Sequence, residues 1–242
     1  MGSAPFSFVN WGVTWHLPLK IEDVGVVTST QDVMKARLER GERVHGLVLR
    51  AAAQTLGRGQ RSKTWQSGAG GSYQTLAVHL PEATRLNSRA SIAVAVGLAQ
   101  TLPRYGVKVG IKWPNDLYYR RKKLAGILLE QTHHHLLIGV GVNVNNEVPP
   151  GAVGLRGWDL AGVHGVVLEG VQAGLSLLDA PLAAAYAPFD LLYGQEVEGV
   201  SRGERIVGTA RGADEDGGLR LERTAGRVDV FRGTLTRFTL RK

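Results

Sequence analysis

The chain has 242 residues, 43% of them hydrophobic, enough to build one large domain and a small one. It has no cysteine, which excludes disulfides and thiolate metal sites, and no run of 18 apolar residues that would span a membrane. A formal charge of +8 calls for an acidic partner, and nucleic acid, ATP or an acidic carrier domain would each be drawn to such a surface.

Residues 1 to about 25 form an extension with Trp11 and Trp15 but no clear period. It lacks the basic-then-apolar order of a secretory signal, and Phe6 stands where a myristoylation signal needs Ser or Thr, so a cytoplasmic protein is expected. Thr28 or Ser29 then caps a helix from Gln31 to Glu39 that ends at Gly41. Strands are expected at 46–53, 73–80, 107–113, 124–130 and 136–144, with an Ala- and Val-rich helix at 88–102. Most of these strands are hairpin-connected, which predicts a mixed sheet rather than a doubly wound one. A helical stretch from Leu160 to Ala187 closes a domain of residues 1–190. Pro188 and Gly194 mark its boundary. Residues 191–242 hold short strands separated by Gly-rich turns such as Asp216-Gly217-Gly218, the pattern of a small all-β barrel.

Four segments carry chemistry. Lys112-Trp113-Pro114-Asn115-Asp116 and, seven residues on, Lys123-Leu124-Ala125-Gly126-Ile127 put two lysines, an amide and a carboxylate around one expected hairpin, equipment suited to phosphate. In its first strand Val107, Val109, Ile111 and Trp113 share one face and Lys108 and Lys112 the other, while Gly126 in the returning strand permits close backbone approach. Asp116 is placed to orient Lys112 or Lys123, or to hold Mg²⁺; spacing does not separate these roles. The loop Gln54 to Trp65 carries Gly57 and Gly59, whose N–H groups can form an anion nest, with Arg58 between them and Trp65 as a latch. Ser29-Thr30-Gln31 opens the first helix, and Gly139-Val140-Gly141-Val142-Asn143 is a strand ending in an amide. This strand lacks the third glycine of a dinucleotide fingerprint, there is no P-loop, and His133-His134-His135 would scatter over two faces of a strand pair.

In this order and at these spacings the segments resemble biotin protein ligase, from about Val26 to the C-terminus. The resemblance implies an α+β fold of the class II synthetase-like, biotin/lipoate ligase type, with a mixed sheet, packed helices and a small C-terminal SH3-like β-barrel. It also implies ATP and biotin as substrates with Mg²⁺, and a biotin carboxyl-carrier protein of the acetyl-CoA carboxylase type as acceptor. The implied catalytic residues are Lys123, Lys112, Asp116 and Arg58. Two anions about 4 Å apart repel by roughly 4 kcal/mol at an effective dielectric of 20, so a lysine between carboxylate and phosphate is required, and the matching motif assigns this to Lys123. Ser29, Thr30, Gln31 and Gln54 match the polar set around the ureido ring. Gly57, Arg58, Lys123 and Gly126 complete the biotin site, with Trp65 and Tyr73 as walls. Arg58, Gln60, Arg61, Lys112, Asn115, Lys123 and Asn143 match the adenylate side.

The chain departs from the family pattern at Gln31, where asparagine is usual, at Gln60, where a second arginine is usual, and at Ser62, where glycine is common. Ser29 falls too early to leave room for an N-terminal helix-turn-helix, so a monofunctional enzyme without DNA binding is expected. A homodimer is compatible and no membrane partner is expected. A lipoate or octanoate ligase is the alternative; it would need a long apolar tunnel. A nucleic-acid-binding protein would explain the charge but not the Lys-Trp-Pro-Asn-Asp motif.

Overall fold

The computed structural model describes residues 18–80, 88–132, 134–223 and 226–241. The N-terminal extension through residue 17, with Trp11 and Trp15, lies outside this range, as does His133. The strands are β1 Lys20–Asp23, β2 Val26–Val27, β3 Leu47–Ala51, β4 Ala53–Gln54, β5 Ser72–His79, β6 Gly110–Lys112, β7 Asp116–Tyr119, β8 Lys122–Thr132 and β9 His135–Val142, followed by β10 Glu196–Ser201, β11 Glu204–Ala213, β12 Leu219–Glu222, β13 Val228–Phe231 and β14 Thr234–Phe238. The helices are α1 Thr30–Glu39, α2 Ser88–Thr101, α3 Leu160–Ser176 and α4 Leu182–Tyr186.

The main sheet has seven strands in the order β1-β3-β5-β9-β8-β7-β6, with β1 parallel to β3 and every other pair antiparallel, so it is mixed as expected. Alternation divides its side chains between two apolar layers. Leu49, Ala77 and Leu137 pack with Met34 of α1 on one face, and Val48, Leu76, Val78 and Ile138 join the core of α2 and α3 on the other. β5 is buried along nearly its whole length because both faces are covered. Glycines set how closely α2 and α3 approach: a Cβ on Gly97 would sit 2.2 Å from Gly170 O, and one on Gly174 would sit 2.6 Å from Ala93 O. The stretch Leu160–Asp179 is long and apolar enough to cross a membrane by composition, but here its buried face, including Val163, Val167 and Val171, packs in this core.

Several expectations change. The single hairpin is a three-stranded meander, because Asp116–Tyr119 is itself a strand between Lys112 and Lys122. The strand expected at 107–113 shrinks to β6, although Val107, Val109, Ile111 and Trp113 are all buried as the alternation requires. The helix expected at 160–187 stops at Ser176. A 3₁₀ turn and Pro181, which has no N–H to continue a helix, separate it from α4. Residues 20–23, read as aperiodic, supply the edge strand β1.

The C-terminal strands form an antiparallel sheet in the order β13-β12-β11-β10-β14. Its two outer strands, β13 and β14, are joined by only Arg232-Gly233, so the sheet must curl until its ends meet. No ladder joins these two strands among the described residues, and the antiparallel sheet is that of a small β unit. Gly233 has no room for a side chain: a Cβ there would lie 2.2 Å from Val200 O. This sheet packs on the β6 edge through Trp113, whose ring centroid is 5.7 Å from that of Phe231 and whose Nε1 donates to Gly217 O at 2.9 Å.

Candidate active site

A cleft partly open to solvent lies over β8 and β9 and is roofed by the glycine loop. At one end Asp116 stands between two ammonium groups: Lys123 Nζ is 2.7 Å from Oδ1 and Lys112 Nζ is 3.2 Å from Oδ2. Register explains the meeting. Lys112 and Asp116 are partners across β6 and β7, and Asp116 pairs with Gly126 of β8. Strand alternation alone would put Lys123 and Gly126, three apart, on opposite faces. The β7–β8 register shifts between Leu117 and Tyr118, so that Tyr118 pairs with Lys123, and this bulge returns Lys123 to the cleft face while Leu124 and Ala125 are both buried. Lys112 also lies 4.8 Å above the Phe238 ring, an attraction between cation and π face.

Trp65 covers the middle of the cleft. Gly126 and Gly141 are partners on adjacent strands; a Cβ on the first would approach Trp65 Cζ3 to 3.1 Å and one on the second would approach Nε1 to 2.6 Å. The close approach anticipated at Gly126 therefore admits an indole. Lys123 Nζ is 5.2 Å from the same ring.

The opposite end is a network of neutral polar groups. Ser29 caps α1 by accepting from Gln31 N, Thr30 N donates to Gln54 Oε1 at 2.8 Å, and Thr75 Oγ1 donates to Thr30 Oγ1 at 2.8 Å. Gln54 Nε2 donates to Ser67 Oγ at 2.8 Å, beside Gly57, where a Cβ would lie 2.3 Å from the same Oγ. Gln31 Nε2 donates to Leu128 O at 3.2 Å. Two wall residues, Gln31 and Trp65, keep Oε1 and Nε1 buried without a partner, one acceptor and one donor. Buried polar atoms are nearly always satisfied, so this pair calls for a ligand that offers both functions. Tyr73 donates to Gly68 O at 2.8 Å, and burial pushes its hydroxyl up to about 12, so it serves as a neutral wall.

The loop is folded as a small hairpin, with Gly59 N donating to Lys63 O at 2.7 Å and Trp65 N to Gly57 O at 2.9 Å. Arg58 spans Asp32 at 2.7 Å and Glu130 at 2.9 Å, and Lys35 reaches the same Glu130 at 2.8 Å. Burial works against the Arg58 charge, but the Glu130 and Asp32 carboxylates outweigh it and hold the guanidinium more firmly protonated than usual. Arg61 adopts a left-handed conformation (φ 55°) and donates to Gly233 O at 2.6 Å, tying the loop to the β13–β14 turn. Gln60 lines the cleft.

Asn115 also lines the cleft, its Nδ2 donating to Ile127 O at 2.7 Å. Asn143 is not on this wall: it is buried, and its Oδ1 accepts from Asn146 Nδ2 at 3.1 Å. The residues do not fit a protein-held Mg²⁺ either. Both oxygens of Asp116 are taken by ammonium groups, and the described residues contain no group of three ligating His, Asp or Glu side chains. The sequence reading missed Thr75 and Ser67, which hydrogen-bond to Thr30 and Gln54 behind the cleft, the carboxylates of Asp32 and Glu130 that hold Arg58, and the wall formed by Gly233, Thr234 and Leu235. Only the residue types of the first four could have signalled them; the wall carries no motif.

A mixed sheet with a cationic end, a neutral polar end and a glycine-rich roof is the architecture of an acid-activating ligase. Residues 24–143 match the model of the Biotin/lipoate A/B protein ligase family. The chain is 31% identical over 229 residues to the biotin--[acetyl-CoA-carboxylase] ligase of Mycobacterium tuberculosis, covering 87% of this chain and 86% of that one. It is 29% identical to the bifunctional ligase/repressor BirA of Escherichia coli, over 81% of this chain and 67% of the relative. The biotin protein ligase of Aquifex aeolicus in complex with biotin and ATP superposes with a TM-score of 0.77 at 26% identity, covering 92% of this chain and 98% of that one. The chain belongs to the biotin protein ligase family.

Proposed function

We propose that this protein activates biotin with ATP to biotinyl-5′-AMP and transfers the biotinyl group to a lysine of a biotin carboxyl-carrier domain. The observation that carries this reading is the polarity of the cleft: unpaired Gln31 Oε1 and Trp65 Nε1 beside Thr30 and Gln54 at one end, and Asp116 with its two lysines at the other. A ureido ring offers two N–H donors and a carbonyl acceptor, and the acid at the end of the valeryl chain needs cations.

In the first step a biotin carboxylate oxygen attacks the α-phosphorus of ATP, and the bond to the β-phosphate oxygen breaks, its electron pair leaving with pyrophosphate. Lys123 neutralises the repulsion between the two anions as they meet, and Lys112 stabilises the phosphoryl oxygens. Asp116 fixes both ammonium groups before substrate arrives, which removes their reorganisation from the barrier. Arg58 exchanges its bond to Asp32 for the acyl phosphate, and Trp65 excludes water from the mixed anhydride. In the second step the neutral amine of the carrier lysine attacks the acyl carbon, the bond from that carbon to the phosphate oxygen breaks with its electron pair leaving on AMP, and the nitrogen releases a proton to solvent.

Asn115 supports the adenylate side from the cleft wall. Asn143 contributes from behind, since its N–H holds Leu124 O at 3.0 Å next to Lys123. Residues 1–190 would form the catalytic unit and 191–242 the small β unit that closes it through Gly233 and Phe238. An enzyme of the cytoplasm that binds no specific DNA, and that tolerates a homodimer, fits this reading.

The test is incubation of the protein with biotin, magnesium-ATP and a biotin-acceptor domain, read as mass gain on the acceptor. Gain with octanoate or lipoate but not with biotin would move the assignment to the lipoate branch.

A further inference from the structure

On the sheet face that packs against α1, alternation along β5 presents Tyr73, Thr75 and Ala77. Thr75 is fully buried behind the cleft and shares its layer with the apolar Met34, Leu49, Ala77 and Leu137. Valine has the same branched shape, so packing alone does not ask for a hydroxyl at this position, and an unpaired one would be a cost. A chain of four hydrogen bonds explains it, running from Thr75 through Thr30, Gln54 and Ser67 to Trp65 O.

Two backbone groups fix the direction of this chain. At one end Thr30 N can only donate, and it does so to Gln54 Oε1 at 2.8 Å, which sets which way the Gln54 amide points. Thr30 Oγ1 lies 3.2 Å from the same oxygen and must therefore donate to it. Its one proton is then committed, so in its 2.8 Å contact with Thr75 it accepts. At the other end Trp65 O can only accept. It takes the Ser67 proton at 3.1 Å, and Ser67 Oγ in turn accepts from Gln54 Nε2 at 2.8 Å.

We infer that Thr75 is a positioning residue for the ureido ring of biotin: by donating to Thr30 it keeps the Thr30 proton on Gln54 and presents Thr30 to the cleft as an acceptor only. A hydroxyl has one proton and two lone pairs. With the proton on Gln54 and one lone pair on Thr75, Thr30 has a single lone pair left for a ligand in the cleft it lines. The same chain leaves Gln54 Nε2, also on the cleft, with its second N–H as a donor. An acceptor and a donor of fixed sign suit a ring whose N–H stands next to its carbonyl. They refuse a ring with oxygen in place of that N–H, because two lone pairs would then face each other. A Thr30 hydroxyl free to turn would take either. The inference rests on the ligase reading and adds to it what sets the sign of the polar end.

The test is calorimetry of biotin, and of the two cyclic carbamates in which one or the other ring N–H is replaced by oxygen, with the wild type, Thr75→Val and Thr75→Ser. The wild type should bind biotin and reject one of the carbamates by about a hundredfold or more. Thr75→Val should weaken biotin about tenfold, the scale of one hydrogen bond, and bind that carbamate no more weakly than the wild type does, so the preference falls about tenfold. Thr75→Ser keeps the hydroxyl and should restore both affinity and preference. The KM for ATP should be unchanged in both variants. If the valine variant does not fold, Thr75→Cys, a weak donor of similar size, reads the same ratio. Equal weakening of biotin and carbamate, no rejection of either carbamate by the wild type, or no rescue by serine would make Thr75 a packing residue and overturn the inference alone. No biotin binding by the wild type would refute the ligase reading and the inference with it.

Discussion

Gly126 and Gly141 are partners across β8 and β9, and the absence of both side chains leaves the shelf on which the Trp65 indole lies. Neither strand needs glycine for its own conformation: neither residue has positive φ, and glycine weakens a strand interior. The pair is therefore explained by what lies above it.

Gly141→Ala tests this relationship. Its new Cβ would sit 2.6 Å from Trp65 Nε1, so the ring must lift while the strand, whose backbone is undisturbed, stays paired. We expect a folded protein with red-shifted tryptophan emission and faster loss of bound biotinyl-adenylate. An unshifted spectrum with unchanged adenylate lifetime would mean that the shelf does not seat the latch.

Lys123→Ala should lose about 10² or more in the rate of adenylate formation, the scale of removing one electrostatic stabiliser. Its side chain is 32% exposed, so the ion pair with Asp116 contributes little to folding, and the melting temperature should change by only a few degrees. Pyrophosphate release with biotin and ATP at the wild-type rate would remove Lys123 from the mechanism.

Acid should destabilise the fold below about pH 6.5, through two histidines held neutral. Burial is the main cause that lowers both His45 and His164, helped by His79 in the first case and Arg50 in the second. A lowered folded value means that the unfolded chain takes up protons first. Their contribution is thus intact above the unfolded value near 6.5 and is lost as pH falls through the folded values. Chemical denaturation of His164→Gln across pH 5 to 8 should show a shallower slope than the wild type. Identical slopes would place the titration elsewhere.

Much of the fold was legible in the sequence because local signals agreed with tertiary ones. Ser29 before a helical run, and the apolar strands β5, β8 and β9, carried their own evidence. β7 did not: Asp116-Leu117-Tyr118-Tyr119 follows Pro114-Asn115 and precedes four basic residues, so it reads as connection, and only pairing on both sides makes it a strand. The lysine motif revealed the chemistry but not the geometry, since it takes a bulge at Leu117/Tyr118 to bring Lys123 and Gly126 to one face. The Gly233–Leu235 wall was invisible for a different reason. It reaches the cleft from 92 residues beyond Gly141, the preceding cleft residue in the chain (233 − 141), through the seating of Trp113 on Phe231, and nothing local encodes it.

Gln60 stands on the cleft wall where the family pattern has an arginine, and of the neighbouring cations Arg61 is held by Gly233 O, which leaves Arg58 alone to move from Asp32 to the phosphate. A neutral amide therefore replaces the charge that would otherwise oppose escape of the adenylate phosphate, and affinity differences of this kind appear mainly in the off-rate. Gln60→Arg should lengthen the lifetime of bound biotinyl-adenylate about tenfold, the upper range for a charge-assisted contact at a partly open site. The wild type should correspondingly release adenylate and label bystander lysines at a detectable background. Arg61→Ala separates this from a shifted loop path. If Arg61 serves the loop through Gly233, its loss should loosen residues 55–65, read as faster amide exchange, with an effect on adenylate lifetime that Gln60→Arg partly restores. If Gln60→Arg leaves the lifetime unchanged and Arg61→Ala alone shortens it, the phosphate is held by Arg61 and the position-by-position assignment of the loop is wrong.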